Sequence, residues 1–529
     1  MSNSFVLQCM TNSEINIESS VNRYTKLQWL VFGIFFIALI GGLLCIDTGH
    51  EWGDDFILYL HQARCWVRGG MQELAISNQS CMDQSDGVIG PYLYPQGFPV
   101  LMSFPMRGID FWGFIGLKVF NYTIFLLCMV AVYRWLRILF DDAKGPILLS
   151  LILIVWHPKI WEAANRLTSD LWFTGLVGVF MFLLYSGWRN NMAKNLTLGL
   201  LVFMATSTRT NGVFLLVPWV LLIWQENPKF QGGLRASGNL LLVIALGGLC
   251  GLLALKNDLG HGPVYMDMLK SVTPSQVLSN VGLYLKMIGT YPFWHVATIL
   301  EVVLGAWSTT ILAMFFWAII LLAIVKRGWQ LLPILAFVGV NLALFCAWPS
   351  LQGVRLLFVI FPMLAVLIVV GLMELWRMKG PSFHRGLTFG FLRKTSSWAI
   401  GLSAILLIQG LATSVHYVFE DTNQAFSKEV NEVYSFVESS VKPNERISFH
   451  KPRLMRYVTG AEVFKVATDI PLNESDEVVA YKRFDLESAI NQLKAKQIDY
   501  WILPRQPRVR RIDLPVAFKN QGFVIYSIK

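Results

Sequence analysis

Residues 27–46 read LQWLVFGIFFIALIGGLLCI, and the chain continues after Asp47-Thr48-Gly49 with HEWGDD at 50–55. An uncharged apolar run of this length is enough to cross a bilayer as a helix. It is too long for a signal peptide and has no small-residue cleavage site after it. A first membrane span is therefore predicted, followed at once by a cluster of acidic residues.

The composition of the whole chain agrees with a membrane protein. Hydrophobic residues make up 54% of the 529 residues and charged residues 15%, with a mean hydropathy of +0.51. A soluble globule of this size cannot bury so much apolar surface. A soluble enzyme, a DNA-binding protein and a disordered scaffold are excluded. No nucleic-acid partner is expected from the net charge of +10, because the basic residues lie mostly at predicted cytoplasmic helix ends.

About eleven runs are apolar enough to span a membrane. Only Thr208-Arg209-Thr210 separates the fifth from the sixth, so these two could form one interrupted hairpin. The runs centre on 27–46, 111–133, 146–161, 168–188, 195–207, 211–224, 237–255, 296–325, 330–348, 354–376 and 396–415.

The charges of the connecting segments predict the orientation. Arg23 and Lys26 precede the first span, which places the N-terminus in the cytoplasm. The first external loop, 47–110, carries eight acidic residues against three arginines. The predicted location is a bacterial inner or plasma membrane, crossed many times.

Beyond the spans the pattern changes to alternating helix and strand. Helical patterns at 420–441 and 485–497 are interleaved with strand-like runs at 446–450, 499–503 and 522–528. The fold class predicted is a polytopic α-helical membrane protein, residues 1–417, with a small extracytoplasmic α/β domain, residues 418–529.

The acidic cluster at 50–55 admits two interpretations. Neighbouring carboxylates at a low-dielectric boundary suit a general base, or a pair that binds a metal or an amine. The alternative is a solvated helix start, where acids favour the helix dipole. Residues 56–67 are typical of an amphipathic helix on the membrane surface. The aromatic, proline-rich segment 91–99 could equally be an interfacial anchor.

A first span, an acidic pair opening a surface helix and a Tyr/Pro-rich segment together resemble the GT-C glycosyltransferases. The likeness is nearest to the protein O-mannosyltransferase and aminoarabinose-transferase branch, which uses polyprenyl-phosphate-linked sugars. It implies that Asp54 is the catalytic aspartate and Asp55 the acid beside it, where the family usually has Glu. A trailing extracytoplasmic α/β domain also occurs in that family.

Three further segments resemble family motifs. Residues 157–170 resemble the second external loop, with Asp170 as the acid heading the fourth span. Residues 208–212 resemble a Lys/Arg-Gly element through Arg209, and 352–355 the arginine-bearing start of a late span through Arg355. The resemblance implies inverting transfer with Asp54 as general base.

The remaining roles follow from charge. Arg209 and Arg355 are expected to bind the donor phosphate, since arginine stabilises a phosphate leaving group well. Asp170, Tyr94 and His157 are assigned to positioning the acceptor or a metal. Structural pairing with a carboxylate is the alternative for each of these two arginines.

The sequence holds no Walker loop and no GxGxxG, so no nucleotide cofactor is expected. The predicted partners are a polyprenyl-phosphate-linked sugar, a glycan, lipid or protein acceptor, and membrane lipids. The cofactor stays open, with a divalent cation as one alternative and no metal ligand set assigned.

Two alternative functions and two further sequence features are also considered. A transporter or lipid flippase is the rival from another class, and a non-catalytic subunit is the third. The mixed charges of 256–295 indicate a solvated loop or an acceptor-covering flap. A disulfide between Cys65 and Cys81 is predicted in the external loop, where oxidising conditions would allow it.

Overall fold

The three-dimensional structure is a computed structural model. It describes residues 17–52, 54–86, 90–107, 113–187, 191–226, 270, 272–348, 353–378, 395–419, 423–467, 486–505 and 512–528. The predicted span 237–255 lies outside these described residues.

The described residues are mainly helical. The helices are α1 Ile17–Leu44, α2 Asp54–Arg68, α3 Met71–Gln84, α4 Gly97–Met106, α5 Gly113–Leu139, α6 Lys144–Val155, α7 Pro158–Ala164, α8 Asp170–Tyr185, α9 Asn191–Thr208, α10 Leu216–Glu226, α11 Pro274–Thr290, α12 Trp294–Leu304, α13 Ala306–Arg327, α14 Leu332–Cys346, α15 Phe361–Met378, α16 Thr395–Phe419, α17 Lys428–Ser440, α18 Pro452–Thr459 and α19 Leu486–Ala495. Single-turn or two-turn 3₁₀ segments lie at Thr210–Leu215, Tyr291–Phe293 and Gly353–Ile360. The strands are β1 Arg446–Ser448, β2 Glu462–Phe464, β3 Tyr500–Pro504, β4 Val516–Lys519 and β5 Phe523–Ser527.

The helices confirm a multi-pass membrane protein. Six helical segments among the described residues are long and apolar enough to cross a membrane, and α6 with α7, bent by 46°, would make a seventh. The six are Leu27–Leu44, Gly113–Leu139, Pro274–Leu304, Ala306–Arg327, Gly353–Met378 and Gly401–Phe419. Shorter apolar helices match several other predicted spans, so the count of eleven stays a prediction.

Two predictions about the middle of the chain are wrong. The predicted span 296–325 is two helices, α12 and α13, because the chain breaks at Gly305 with φ 89°. The segment 256–295, predicted as a loop, contains helix α11. Thr273 and Gln276 form a capping box with Pro274 at the first turn, and this cap sets the start of the helix despite the charged residues nearby.

The segment Gly353–Met378 forms the centre of the helical bundle. It is the most apolar of the six segments, and 78% of its most apolar 18-residue stretch is buried. The corresponding fraction is 44% or less in each of the other five segments. Those five thus present much of their surface to lipid, and the central segment packs on all sides. The start of this central segment carries Arg355.

The C-terminal sheet has the strand order β2-β1-β3-β5-β4. β1 pairs in parallel with β2 and β3, while β5 pairs antiparallel with β3 and β4. Three strands and the helices α17 and α19 match the predicted α/β pattern. Strands β2 and β4 were not predicted, because three or four residues are too few to show an alternating pattern.

One hydrophobic cluster joins the sheet domain to the bundle through α2. Phe56, Ile57 and Leu60 of α2 share this cluster with Leu117 of α5 and Val433 of α17. Helix α2 therefore lies between the membrane helices and the sheet.

Gly371 and Gly339 offer a matched test of helix packing. A methyl group at Gly371 would overlap the carbonyl oxygen of Ile319, whereas one at Gly339 meets no atom within 4 Å. Gly371→Ala should lower stability by about 1–3 kcal/mol, the usual cost of overpacking. Gly339→Ala should leave stability unchanged or raise it slightly, because alanine favours a helix. Thermal unfolding of the detergent-purified protein measures both, and equal Tm values for wild type and Gly371→Ala would contradict this packing.

Candidate active site

The first half of α2 is buried on both sides, which differs from the surface helix predicted for 56–67. In the second half Arg64, Trp66 and Arg68 are exposed. The five consecutive residues 56–60 are all buried, at 0–4% exposure. A surface helix would leave one face in water. The sheet domain covers that face instead, so α2 can carry one set of groups toward the membrane helices and another toward the sheet.

Asp55 lies in the second position of α2 and faces the membrane helices. Its Oδ1 accepts a hydrogen bond from the Tyr94 hydroxyl at 2.5 Å, and its Oδ2 accepts one from Arg355 Nη1 at 2.6 Å. About a third of the Asp55 side chain is exposed, at 32%. Both carboxylate oxygens are thus engaged by donors.

Arg355 links Asp55 to Asp170. Its Nε donates to Asp170 Oδ2 at 2.6 Å, while Arg209 Nη1 donates to Asp170 Oδ1. The Asp170 side chain is 1% exposed, and each arginine side chain is 21% exposed. The structure therefore brings together four of the predicted site residues in one alternating chain of charges, Arg209–Asp170–Arg355–Asp55.

The pKa of Asp55 is lowered to about 2. Burial alone would raise this pKa, because it disfavours the charged form. The positive charge of Arg355 and the hydrogen bonds from Tyr94 and Arg355 outweigh burial and hold the carboxylate ionised. Asp55 is consequently a poor proton acceptor near neutral pH.

Tyr94 is held in place by a residue that the sequence did not point to. Gln62, fully buried, donates to the Tyr94 carbonyl at 2.8 Å and accepts from the Tyr94 amide at 2.7 Å. The Tyr59 ring packs against Tyr94 with centroids 4.5 Å apart, and its hydroxyl contacts Ser169 Oγ at 3.1 Å. Positions 55, 59 and 62 share one helix face, a spacing that could have singled out Gln62.

Asp54 is the first residue of α2, and its side chain lies outside the described residues. Its assignment as general base stays a prediction.

A second unpredicted residue, Lys118, fixes the segment before α2. Its fully buried ammonium group donates to Asp47 Oδ1 at 2.9 Å, Asn165 Oδ1 at 2.7 Å and the Gly49 carbonyl at 2.5 Å. A buried lysine needs such partners. It ties the end of the first span to the loop before Asp170.

His157 does not join the acids, so its predicted positioning role is not supported by its contacts. One ring nitrogen accepts from the Lys159 amide and caps α7, and Nε2 lies 2.9 Å from the Tyr291 carbonyl. The ring packs against Tyr291 and Phe361. Both nitrogens are used to hold helices together.

The predicted disulfide between Cys65 and Cys81 is wrong: both are free thiols. Cys81 is buried, with its Sγ 3.3 Å from the Val463 carbonyl of β2. Packing against the sheet domain turns this thiol away from a partner in the external loop.

No group of three His, Cys, Asp or Glu side chains comes together as metal ligands within the described residues. Asp55 and Asp170 face arginines instead. A small cavity beside this charge chain is lined by Asp170, Phe173, Arg209, Asn211, Arg355, Leu356, Phe358 and Val359. Its volume of about 10 Å³ is that of a single water molecule. Its wall combines two guanidinium groups with apolar surface, the groups that bind a phosphate attached to a hydrocarbon chain.

Comparisons with known proteins identify the fold. No family model matches the chain, and no curated protein matches it. The aminoarabinose transferase ArnT from Cupriavidus metallidurans in the apo state is similar in structure, with a TM-score of 0.52 at 13% identity over 96% of this chain and 98% of that one. ArnT bound to undecaprenyl phosphate gives a TM-score of 0.50 at 11% identity over 95% of this chain and 98% of that one.

An archaeal protein shows the same likeness. The oligosaccharyltransferase AglB from Archaeoglobus fulgidus, in complex with an inhibitory peptide and a dolichol-phosphate, has a TM-score of 0.51 at 11% identity. The match covers 91% of this chain and 70% of that one. The chain thus shares the fold of ArnT and AglB, which confirms the predicted fold class of a polytopic helical membrane protein with a small C-terminal α/β domain.

Asp170 should matter more for stability than Asp55, because it is fully buried between two arginines. Asp170→Asn leaves both guanidinium groups short of a counter-charge and should cost about 3–5 kcal/mol. Asp55→Asn, at a partly exposed site, should cost less. Asp142→Asn removes the exposed partner of Arg137 and should change stability by less than about 1 kcal/mol. Thermal unfolding in detergent measures the order of stability of the three variants. A Tm for Asp170→Asn equal to that of Asp142→Asn would contradict the charge chain.

Proposed function

We propose that the protein is an integral-membrane glycosyltransferase that transfers a sugar from a polyprenyl-phosphate-linked donor to an acceptor. The observation that carries this proposal is the chain of charges Arg209–Asp170–Arg355–Asp55, which borders an apolar-walled cavity at the ends of membrane helices. The fold and the lipid phosphates named for ArnT and AglB support it. In this proposal the site and the sheet domain lie on the outer face of the membrane, and the N-terminus is cytoplasmic.

The two neighbouring acids take different roles. Asp55 is bound to Arg355 and Tyr94 and stays ionised, so it positions the arginine and does not exchange protons. Asp54 is then the general base, which agrees with the family pattern.

The arginines stabilise the leaving group. Each guanidinium is one-fifth exposed toward the site, and charge-assisted hydrogen bonds to a phosphate are about twice as strong as neutral ones. Asp170 holds both arginines in place before the donor binds. Preorganised cations of this kind lower the barrier because they do not need to move as charge develops.

The reaction proceeds by one displacement. Asp54 takes a proton from the acceptor hydroxyl or amine, whose electron pair forms the bond to the anomeric carbon. The bond from that carbon to the phosphate oxygen breaks, and polyprenyl phosphate leaves with the electron pair. Attack opposite the leaving group inverts the anomeric configuration.

In vitro transfer tests this function. The purified protein is mixed with defined polyprenyl-phosphate sugars and an envelope extract, and products are identified by mass spectrometry. Asp54→Asn should reduce transfer by at least about 100-fold, as expected for loss of a general base, and remain folded. Asp83→Asn, at an exposed position of α3, is the matched control and should keep wild-type activity. Wild-type transfer by Asp54→Asn, or no transfer from any donor, would refute the assignment and favour a transporter or flippase.

The pH dependence of transfer separates the two acids. A carboxylate whose pKa is lowered to about 2 keeps its ion pair above its unfolded pKa and loses it only as the pH falls toward that value. An acidic limb of the rate profile near neutral pH therefore belongs to a group other than Asp55. Asp55→Asn should lower the rate but keep this limb; its disappearance in that variant would make Asp55 the base.

A further inference from the structure

A second cavity lies on the opposite side of α2 from the charge chain. It has a volume of about 300 Å³ and is enclosed by α2, α3 and the α18–β2 part of the sheet domain. The lining residues include Ile57, Leu58, His61, Asn78, Arg453 and Arg456. A cavity of this size is large enough for a small polar ligand or one end of a larger one.

Arg453 is the unusual residue of this cavity. Its side chain is buried, with the residue 5% exposed, and Nη2 donates to the Pro91 carbonyl at 2.5 Å. Its Nη1 is buried and finds no hydrogen-bond acceptor among the described residues. A buried guanidinium with an unused donor is costly, because desolvation of that N–H is not repaid. Such a group fits a site whose missing partner is an anion.

The surroundings add positive charge. Arg456 lines the same cavity and donates to the Ser77 carbonyl at 2.9 Å. The acid lining the cavity, Glu462, is paired with Arg446 on the neighbouring strand at 3.6 Å. Burial and the nearby Arg64 and Arg456 lower the pKa of His61 to about 4, so this imidazole is neutral near pH 7. The cavity therefore combines two cations with a neutral hydrogen-bonding ring.

The cavity adjoins the candidate active site at Gly90. A methyl group placed on Gly90 would lie 3.3 Å from Arg453 Nη1 and 3.5 Å from the Tyr94 hydroxyl, the same hydroxyl that donates to Asp55. A guanidinium of the sheet domain and a site tyrosine thus border one small space. A ligand held by Arg453 would lie next to the reacting groups.

We propose that this cavity binds an anionic group of the acceptor, a phosphate or a carboxylate, through Arg453 and Arg456. This inference rests on the proposed function and extends it by naming the acceptor class. The donor phosphate is assigned to the membrane side of α2, at Arg209 and Arg355, so an anion on the sheet side belongs to the other substrate. The sheet domain then contributes directly to acceptor binding.

Anion binding can be measured without any donor or transfer assay. The full-length protein in detergent is unfolded thermally in inorganic phosphate, acetate or sodium chloride at equal ionic strength. Phosphate or acetate should raise the Tm by about 2 °C or more beyond chloride, since a ligand that binds only the folded state stabilises it. A shift with phosphate that depends on Arg456 indicates a phosphate-bearing acceptor, and a shift with acetate alone indicates a carboxylate.

Variants locate the bound anion. Arg456→Gln and Arg453→Gln should abolish the Tm shift. Arg453→Lys keeps the positive charge and should retain part of the shift. If Arg453→Gln does not fold, the shift in Arg453→Lys tests the role of this residue. Arg505→Gln, at an exposed position of the same domain, is the matched control and should show the full shift. No shift in wild type, a shift unchanged in Arg456→Gln, or a shift lost in Arg209→Gln alone would overturn the proposal.

Kinetics give a second readout once transfer is established. Arg456→Gln should raise the acceptor KM by about 10-fold or more, the loss expected for one charge-assisted hydrogen bond, and leave the donor KM unchanged. Anion binding without any transfer would refute the proposed glycosyltransferase function but support the anion-binding cavity. Transfer by Arg456→Gln with the acceptor KM of the wild type would refute the anion-binding cavity but leave the glycosyltransferase function supported.

Discussion

Arg355 is the residue on which the arrangement of the site depends. Its guanidinium binds Asp55, 300 positions earlier in the chain, and Asp170, 185 positions earlier. Apolar helices can slide or rotate against one another at little cost, because hydrophobic contacts are not directional. Ionised groups at the edge of a membrane must instead meet their partners within hydrogen-bond distance. These ion pairs therefore fix the position of α2 and the start of α8 relative to the central segment Gly353–Met378.

The same ion pairs explain how the site is stable before the donor binds. Two arginines and two aspartates make the chain of charges neutral, so the resting site does not bury excess charge. A phosphate arriving at the cavity offers the arginines a further acceptor, while Asp170 keeps them oriented. Under the proposed function the carboxylates neutralise the arginines until the donor phosphate binds. Without these carboxylates the site would be strongly positive, which would make it both unstable and unselective.

The sequence predicts many membrane crossings and, through the family resemblance, which acids and arginines contribute to one site, but it does not show how α2 is covered. Long apolar runs and charge alternation are properties of continuous segments, and the resemblance to a family linked Asp170, Arg209 and Arg355 before any distance was known. The roles of Gln62, Lys118 and Arg453 depend on hydrogen-bond partners between 32 and 362 positions away, which no local pattern encodes. The disulfide between Cys65 and Cys81 was predicted wrongly for the converse reason, since a residue type suggests chemistry that its packing does not allow.

The geometry of α2 also restricts where the two substrates could react. A helix with its side chains is about 10–12 Å across, so groups bound on its two faces cannot approach each other over its middle. They can meet only at an end. The N-terminal end carries Asp54 and Asp55, and the segment before it is fixed by Lys118 through Gly49 and by His50, whose Nε2 accepts from the Leu167 amide at 3.1 Å. Under the proposed function, a donor on the membrane side and an acceptor on the sheet side would therefore converge at the end of α2 that begins with Asp54.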